Sequence, residues 1–165
     1  MIPLTIKLYG DQVLRRKSQE VKEINEEIGK LIDNMARLMH RNKGLGLAAP
    51  QVGILKRVIV ADVGDGLTSL VNPRIVWRQG RHIMSEGCLS IPGISLEIKR
   101  SQEVIVEGLN RDGEKIQLGA VGLLARVLQH EIDHLDGILI VDRVPKKTIK
   151  LIKKQLDQIK ATARK

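Results

Sequence analysis

The stretch Gln129-His130-Glu131-Ile132-Asp133-His134 is an H-E-x-x-H pattern near the end of a segment whose apolar periodicity predicts a helix. Histidines four residues apart on a helix lie one above the other on the same face. Both imidazoles can then reach one metal ion, and Glu131 projects beside it, where a carboxylate can take a proton from water. The alternative is a solvated polar stripe on an amphipathic helix. Because the pattern is short, it does not by itself distinguish a metal site from a polar stripe, and the rest of the chain supplies the evidence.

The composition indicates one globular domain, which we assign to residues 1–165. A chain of 165 residues with 42% hydrophobic residues is long enough to bury a core. Tyr9 and Trp77 are its only aromatic residues, which disfavours a module that stacks single-stranded nucleic acid on aromatic side chains. The single cysteine, Cys88, excludes an intramolecular disulfide framework. No apolar run reaches membrane-spanning length and the N-terminus lacks a signal-peptide core, so we expect a soluble, cytoplasmic protein without a membrane partner.

The charge of the chain is strongly positive. A formal net charge of +9 suits a protein that works near polyanions such as ribosomal RNA, or it serves solubility alone. Residues 146–165 predict a basic amphipathic helix with an apolar side made of Ile149, Ile152, Leu156 and Ile159. We expect the apolar side to pack against the body, while the lysines are either solvated or in contact with an anionic partner.

The segments before the H-E-x-x-H stretch predict one long helix followed by strands. Asn25 is the predicted N-cap of a helix that runs to about Asn42. Turn signals such as Asp-Gly and Asn-Pro delimit the apolar runs that follow it. The predicted strands are residues 57–63, 70–76, 94–98, 103–109, 115–118 and 138–141.

The H-E-x-x-H helix is predicted over residues 120–135, with Val121 and Leu128 among its buried positions. This order of elements predicts an α+β fold. Antiparallel strands pack around the central H-E-x-x-H helix, with a long N-terminal helix and a C-terminal helix.

The proposed metal site needs a third ligand, because catalytic sites of this kind commonly keep three protein ligands and one open position. Ile140 stands where a metzincin has its third histidine, and no glutamate follows His134. The third ligand must therefore lie upstream, and the candidates are His40, His82, Glu86 and Cys88. Cys88 is the strongest because a thiolate is a soft donor for Zn or Fe(II), although a lone cysteine is also commonly a small buried apolar residue.

Residues 44–51, Gly-Leu-Gly-Leu-Ala-Ala-Pro-Gln, are small and apolar but follow neither a strand nor a helix period. Their glycines allow another backbone to approach closely, and Gln51 is the only polar side chain. Two interpretations remain open. The segment is either a buried connector in which Gln51 satisfies backbone groups, or a peptide-binding wall in which its amide points at a reacting carbonyl.

Three segments together resemble the signature motifs of the peptide deformylase family. Residues 44–51, the run Glu86-Gly87-Cys88-Leu89-Ser90 and the H-E-x-x-H stretch match these motifs in order and spacing. The resemblance implies removal of the formyl group from N-formylmethionine on nascent chains. The chain departs from many family members at Gln12, where proline is common, and at residues 138–141, where the strand often carries phenylalanine.

By this resemblance, one divalent metal ion is held by Cys88, His130 and His134. The family most often uses Fe(II), with Zn, Ni or Co as substitutes. Glu131 is implied as the general acid/base, while the side-chain amide of Gln51 and the backbone N–H of Leu89 form an oxyanion hole. The residues implied as lining the substrate groove are Leu45, Gly46, Glu86 and Gly87.

The implied partners are N-formylmethionyl nascent peptides and, through residues 146–165, the ribosome. Two other functions compete with this interpretation. A metallopeptidase acting on unformylated chains shares the water activation but does not account for all three motifs. A non-catalytic ribosome- or RNA-binding protein with a structural metal leaves Gln51 and Glu131 without a purpose.

Overall fold

Three α-helices and seven β-strands form the regular secondary structure of residues 3–165, the part of the chain that the computed structural model describes. Met1 and Ile2 of the predicted domain lie outside this part. The helices are α1 Glu26–Arg41, α2 Gly122–Leu135 and α3 Lys146–Ala163. The strands are β1 Gly46–Ala48, β2 Val58–Ala61, β3 Thr68–Gln79, β4 His82–Cys88, β5 Ile91–Arg100, β6 Glu103–Leu109 and β7 Lys115–Val121.

All strand pairs are antiparallel, so the predicted α+β class is confirmed. Five strands form one sheet in the order β1-β2-β3-β6-β7, and β4 and β5 form a separate pair. Strand β3 runs through the predicted interruption at Asn72-Pro73 because the ladder bulges there. Asn72 takes the left-handed conformation, with φ 53°, and its amide holds the backbone N–H and C=O of Val21 at 2.8 Å each.

The five-stranded sheet is covered by α1 on one face and by α2 on the other. Strand β2 shows this most clearly, because Val58 and Val60 pack with the apolar face of α1 while Ile59 and Ala61 pack with α2. Alternate side chains of a strand point to opposite faces, so a strand buried on both faces is apolar throughout. The Asn25 cap predicted for α1 is confirmed, since its side chain accepts the N–H of Ile28 at 3.1 Å.

The C-terminal helix α3 packs against β5 through the predicted apolar side. Ile149, Ile152, Leu156 and Ile159 join a third cluster with the apolar residues of β5. Lys160 of α3 also lies over the ring of Tyr9, with Nζ 5.3 Å from the ring centroid. On the opposite side of the helix, Leu151 is 85% exposed. No helix among residues 3–165 is long and apolar enough to cross a membrane.

Two local predictions are wrong. Residues 138–141 are not a strand: Ile140–Arg143 form a 3-10 helix, and Asp142 accepts the N–H of Leu139 at 2.8 Å. Val121 is 63% exposed rather than buried, because it ends β7 and α2 begins only at the next residue. Strand β4 was not predicted. Trp77, on β3, is 43% exposed.

Candidate metal centre and substrate groove

The end of β4 meets α2 at a cluster of three potential metal ligands. Cys88 closes β4, and His130 and His134 lie one turn apart on α2. When one donor atom is taken from each residue, these three atoms lie within 4.8 Å of one another. The Cys88 Sγ is 3.4 Å from His134 Nε2, and the two imidazole centroids are 5.0 Å apart. A thiolate with two imidazoles is a donor set that suits Zn or Fe(II).

Glu86 fixes the orientation of His130. Its Oε1 lies 2.8 Å from His130 Nδ1, which leaves Nε2 to face the cluster. Arg100 binds the same carboxylate through two hydrogen bonds of 2.9 and 3.0 Å, and Arg126 binds it from α2. Burial alone raises the pKa of Glu86, but hydrogen bonds from His130 and Arg100 outweigh burial and bring the pKa to about 2. Glu86 is therefore ionised at neutral pH.

The ion pairs continue beyond Glu86 to the segment after α2. Arg100 also binds Asp133 at 2.6 Å, and Asp133 accepts a 2.7 Å hydrogen bond from Arg143. Asp133 is the variable position before the second histidine of the pattern. The network therefore ties the backbone of the H-E-x-x-H turn to β5.

His134 is in the form that a metal requires. Burial and the nearby charge of His130 lower the pKa of His134 well below its usual value, so its imidazole is neutral. Its side chain is almost fully buried, and Nδ1 has no hydrogen-bond partner among residues 3–165.

Glu131 is buried beside the cluster, with 3% of its surface exposed. Its Oε2 has no hydrogen-bond partner in the described part of the chain. Burial raises the pKa of Glu131 to about 7, against the opposing charges of His130 and Arg100. A carboxylate with a pKa near the working pH is suited to both accepting and donating a proton.

Gln51 fits both interpretations made from the sequence. Its Oε1 accepts the backbone N–H of Ala48 at 2.9 Å, which satisfies a buried donor. Its Nε2 lies 3.2 Å from Ser90 Oγ and 3.6 Å from Cys88 Sγ, and therefore faces the ligand cluster. The side chain is 1% exposed, so its orientation is fixed by these contacts.

A groove of about 330 Å³ opens over the cluster. All but one of the residues implied by the family resemblance line it: Leu45, Gly46, Gln51, Glu86, Gly87, Cys88, Leu89, His130 and Glu131. The exception is His134, which belongs to the ligand cluster but is not part of this lining. The other ligand candidates are elsewhere: His40 pairs with Asp62 at 2.9 Å, and His82 is exposed at the start of β4.

Several groove residues were not predicted, namely Lys43, Met84, Ser85, Leu123, Arg126 and Val127. Leu123 and Val127 precede Glu131 by two turns and one turn of α2, so helical spacing from the motif was a usable signal. Arg126 precedes His130 by one turn of α2, so the same spacing applies to it, whereas Met84 carried no such signal because its position depends on how β4 meets α2.

Comparison with known proteins identifies the family. A sequence profile described as polypeptide deformylase matches residues 3–150. The chain belongs to the polypeptide deformylase family. The resemblance of the three motifs is thereby confirmed, and this family removes the N-formyl group from nascent peptides in a metal-dependent reaction.

Individual deformylases are similar over most of the chain. The peptide deformylase of Acetivibrio thermocellus is 58% identical over 135 residues, covering 82% of this chain and 79% of that protein. The one from Thermodesulfovibrio yellowstonii is 51% identical, covering 87% and 90%. The crystal structure of the Thermus thermophilus deformylase superposes with a TM-score of 0.92 at 39% identity, covering 99% of each chain.

Proposed function

We propose that this chain hydrolyses the formyl group of N-formylmethionyl nascent peptides at the cluster of Cys88, His130 and His134. One observation carries the proposal. The buried carboxylate of Glu131, one oxygen of which has no partner among the described residues, lies beside three converging metal donors and lines the groove. A groove with convergent donors and a residue of shifted pKa is the expected setting for hydrolysis.

The donor set supports a divalent metal held by Cys88, His130 and His134. We infer Fe(II) as the resident ion, with Zn, Ni or Co as substitutes, because thiolate and imidazole ligands suit these ions and the family resemblance favours iron. When bound, such an ion supplies a positive charge that makes a water molecule acidic near neutral pH.

Glu131 moves the proton. Water adds to the formyl carbon and gives up a proton to the Glu131 carboxylate. The carbon–nitrogen bond then breaks, and Glu131 returns the proton to the departing methionine nitrogen. The products are a free α-amine and formic acid, which loses its proton to become formate at neutral pH. Burial, which raises the pKa of Glu131, favours the protonated form that returns the proton to nitrogen.

Gln51 and Leu89 stabilise the oxygen that becomes negative when water adds. The Nε2 of Gln51 faces the cluster, and Leu89 lines the groove directly after Cys88, where its backbone N–H is a second donor. Donors fixed in advance at such a site typically lower the barrier by about 3–4 kcal/mol each. Glu86 acts through His130 and is a positioning residue.

The strand edges beside the groove support binding of an extended peptide. Strand β1 is an edge strand of the large sheet, and β4 pairs only with β5 in the small one. Gly46 of β1 and Glu86 of β4 both line the groove. A peptide that adds to these edges would present its first side chain to the apolar residues Met84, Leu123 and Val127.

The experiment is formate release from a formyl-Met-Ala peptide by protein purified without oxygen and loaded with Fe(II) or Ni(II). We expect release that a chelator abolishes, and none from the unformylated peptide. Glu131→Gln should keep its metal and lose about 100-fold or more in turnover. Glu27→Gln, on the exposed side of α1, is the matched control. Full turnover in Glu131→Gln would contradict the assigned role.

We further propose that the solvent side of α3 contacts the ribosome and that the enzyme works in the cytoplasm, where nascent chains emerge. The exposed side of α3 carries Lys147, Lys150 and Lys154 around Leu151. Cations around an exposed apolar residue suit an RNA–protein surface. Co-sedimentation with ribosomes should decrease for Leu151→Asp and for Lys150→Glu. Equal co-sedimentation of these variants and the wild type would contradict the contact.

A further inference from the structure

Lys43 occupies a backbone position that is ordinarily filled by glycine. Helix α1 ends at Arg41, and the Lys43 N–H then bonds the His40 carbonyl at 3.0 Å while the Gly44 N–H bonds the Met39 carbonyl at 2.9 Å. This is the bond pattern of a Schellman motif, whose residue in the Lys43 position adopts the left-handed conformation. Lys43 has φ 56°, a conformation that a β carbon disfavours.

The left-handed conformation of Lys43 is supported by these two backbone hydrogen bonds, but its side chain contributes no further contact of this kind with the described part of the chain. Among residues 3–165, Asn72 is the only other non-glycine residue with positive φ, and its side chain makes two hydrogen bonds with Val21. The ammonium group of Lys43 has no hydrogen bond or ion pair with any of the described residues. A lysine at a position that favours glycine, with a side chain that stabilises nothing in the described residues, points to a role towards a ligand.

Lys43 is a solvent-exposed residue of the substrate groove. It is exposed and lines the groove beside Gly44, where an added β carbon would lie 2.7 Å from Leu89 Cδ1. The other charged groove residues are buried, and Glu86, Arg126 and His130 are bound to one another. Of the described groove residues, Lys43 is therefore the one that presents a free charge to an incoming peptide.

We propose that Lys43 determines specificity, favouring formyl peptides with an acidic side chain at their second or third residue. This inference rests on the proposed function. The reacting formyl group must lie near Glu131, which contacts Gly46, and Lys43 precedes Gly46 by three residues. An extended peptide advances about 3.3 Å per residue. A peptide that runs from Gly46 towards Lys43 would bring its second and third side chains into the region of the ammonium group.

The experiment compares kcat/KM for amidated formyl-Met-Ala-Asp and formyl-Met-Ala-Asn, together with formyl-Met-Asp-Ala and formyl-Met-Asn-Ala. Each pair differs in one charge and hardly in shape. We expect the wild type to prefer the Asp peptide of at least one pair by about threefold at low salt, as for an exposed ion pair, and to lose the preference in high salt. Lys43→Met should bring the ratio to about one, and Lys43→Glu should invert it.

Lys22→Met is the matched control, because it removes the same charge from an exposed position outside the groove lining and should keep the wild-type ratio. Equal rates for both members of both pairs in the wild type, or a ratio unchanged in Lys43→Met, would overturn the inference while leaving the proposed function intact. Release of no formate from any peptide would instead contradict the proposed function. In that case, peptide dissociation constants are measured for Glu131→Gln and for the double variant with Lys43→Met. Their comparison still shows whether Lys43 favours the acidic peptides.

Discussion

The backbone of Gly46 lies directly against the carboxylate of Glu131. A β carbon at position 46 would be 2.5 Å from Glu131 Oε1 and 2.7 Å from Val127 Cγ1. The proposed proton acceptor is therefore held by contact with the edge of β1, and this contact requires that position 46 carry no side chain.

Gly46→Ala should displace the Glu131 carboxylate and lower kcat about 100-fold, the typical effect of moving a reacting group by about 1 Å. The measurement is formate release at saturating peptide. Gly119→Ala is the matched control, since an added β carbon there meets nothing within 4 Å and should leave kcat unchanged. Wild-type kcat in Gly46→Ala would show that the contact does not set the position of Glu131.

Gln51→Glu separates the two roles of Gln51. The carboxylate still accepts the Ala48 N–H, so the fold around β1 should persist, but the donor that faces Cys88 is lost. We expect kcat to decrease by 100-fold to 1,000-fold, which corresponds to about 3–4 kcal/mol of barrier. Metal content is measured in parallel, and Gln155→Glu on α3 controls for the added charge. A decrease explained entirely by lost metal would contradict the oxyanion role.

Removal of metal should destabilise the protein through mass action. With free metal at about 100 times its dissociation constant, binding contributes about 2.7 kcal/mol, which raises Tm by roughly 5–10 °C in a chain of this length. Differential scanning calorimetry with and without chelator measures the shift. Cys88→Ser should abolish most of the shift because the thiolate is replaced by a poor ligand. An equal metal-induced shift in Cys88→Ser would exclude Cys88 as a ligand.

Because of Glu86, the free energy of unfolding of the metal-free protein should depend on pH in the acid range. Its pKa is about 2 when folded and about 4.5 when unfolded, so its stabilising contribution is complete above pH 4.5 and decreases as the pH falls towards 2. Linkage puts this contribution at about 3 kcal/mol. Urea unfolding at a series of pH values measures it. Glu86→Gln should be less stable at pH 7 and show a flatter profile between pH 5 and 2, whereas a slope equal to that of the wild type would contradict the assignment.

Short-range sequence patterns predicted the helices and strands whose formation depends on residues close together in the chain. The Asn25 cap and the spacing of apolar residues fixed α1, and the alternation in residues 103–109 predicted β6 with its observed bounds. Strand β4 was missed because most of its side chains are exposed on both faces, so its sequence lacks alternation. Its register is set instead by pairing with β5, from His82 opposite Arg100 to Cys88 opposite Ile91. The apolar run at 138–141 was mistaken for a strand because short apolar runs fit either structure.

The functional site shows the same difference between short-range and long-range signals. Helix geometry indicated His130, His134 and Glu131, because it places the two histidines on one face, and thiolate chemistry favoured Cys88 among four candidates for the third ligand. The support of His130 was not predictable in this way. Arg126 binds Glu86 and the carbonyls of His82 and Ile98, which are 28 to 44 residues distant in sequence. Such contacts exist only once β4, β5 and α2 have packed together.

The positions of the two aromatic rings determine which spectroscopic signals report the unfolding of this protein. Trp77 is 43% exposed on β3, so its emission is that of a partly hydrated indole even in the folded state and should shift little on unfolding. Tyr9 lies under Lys160 and therefore reports the attachment of α3. Neither ring belongs to the clusters on the two faces of the large sheet. Melting of that core is consequently almost silent in fluorescence and near-ultraviolet dichroism, and far-ultraviolet dichroism is the signal that follows it.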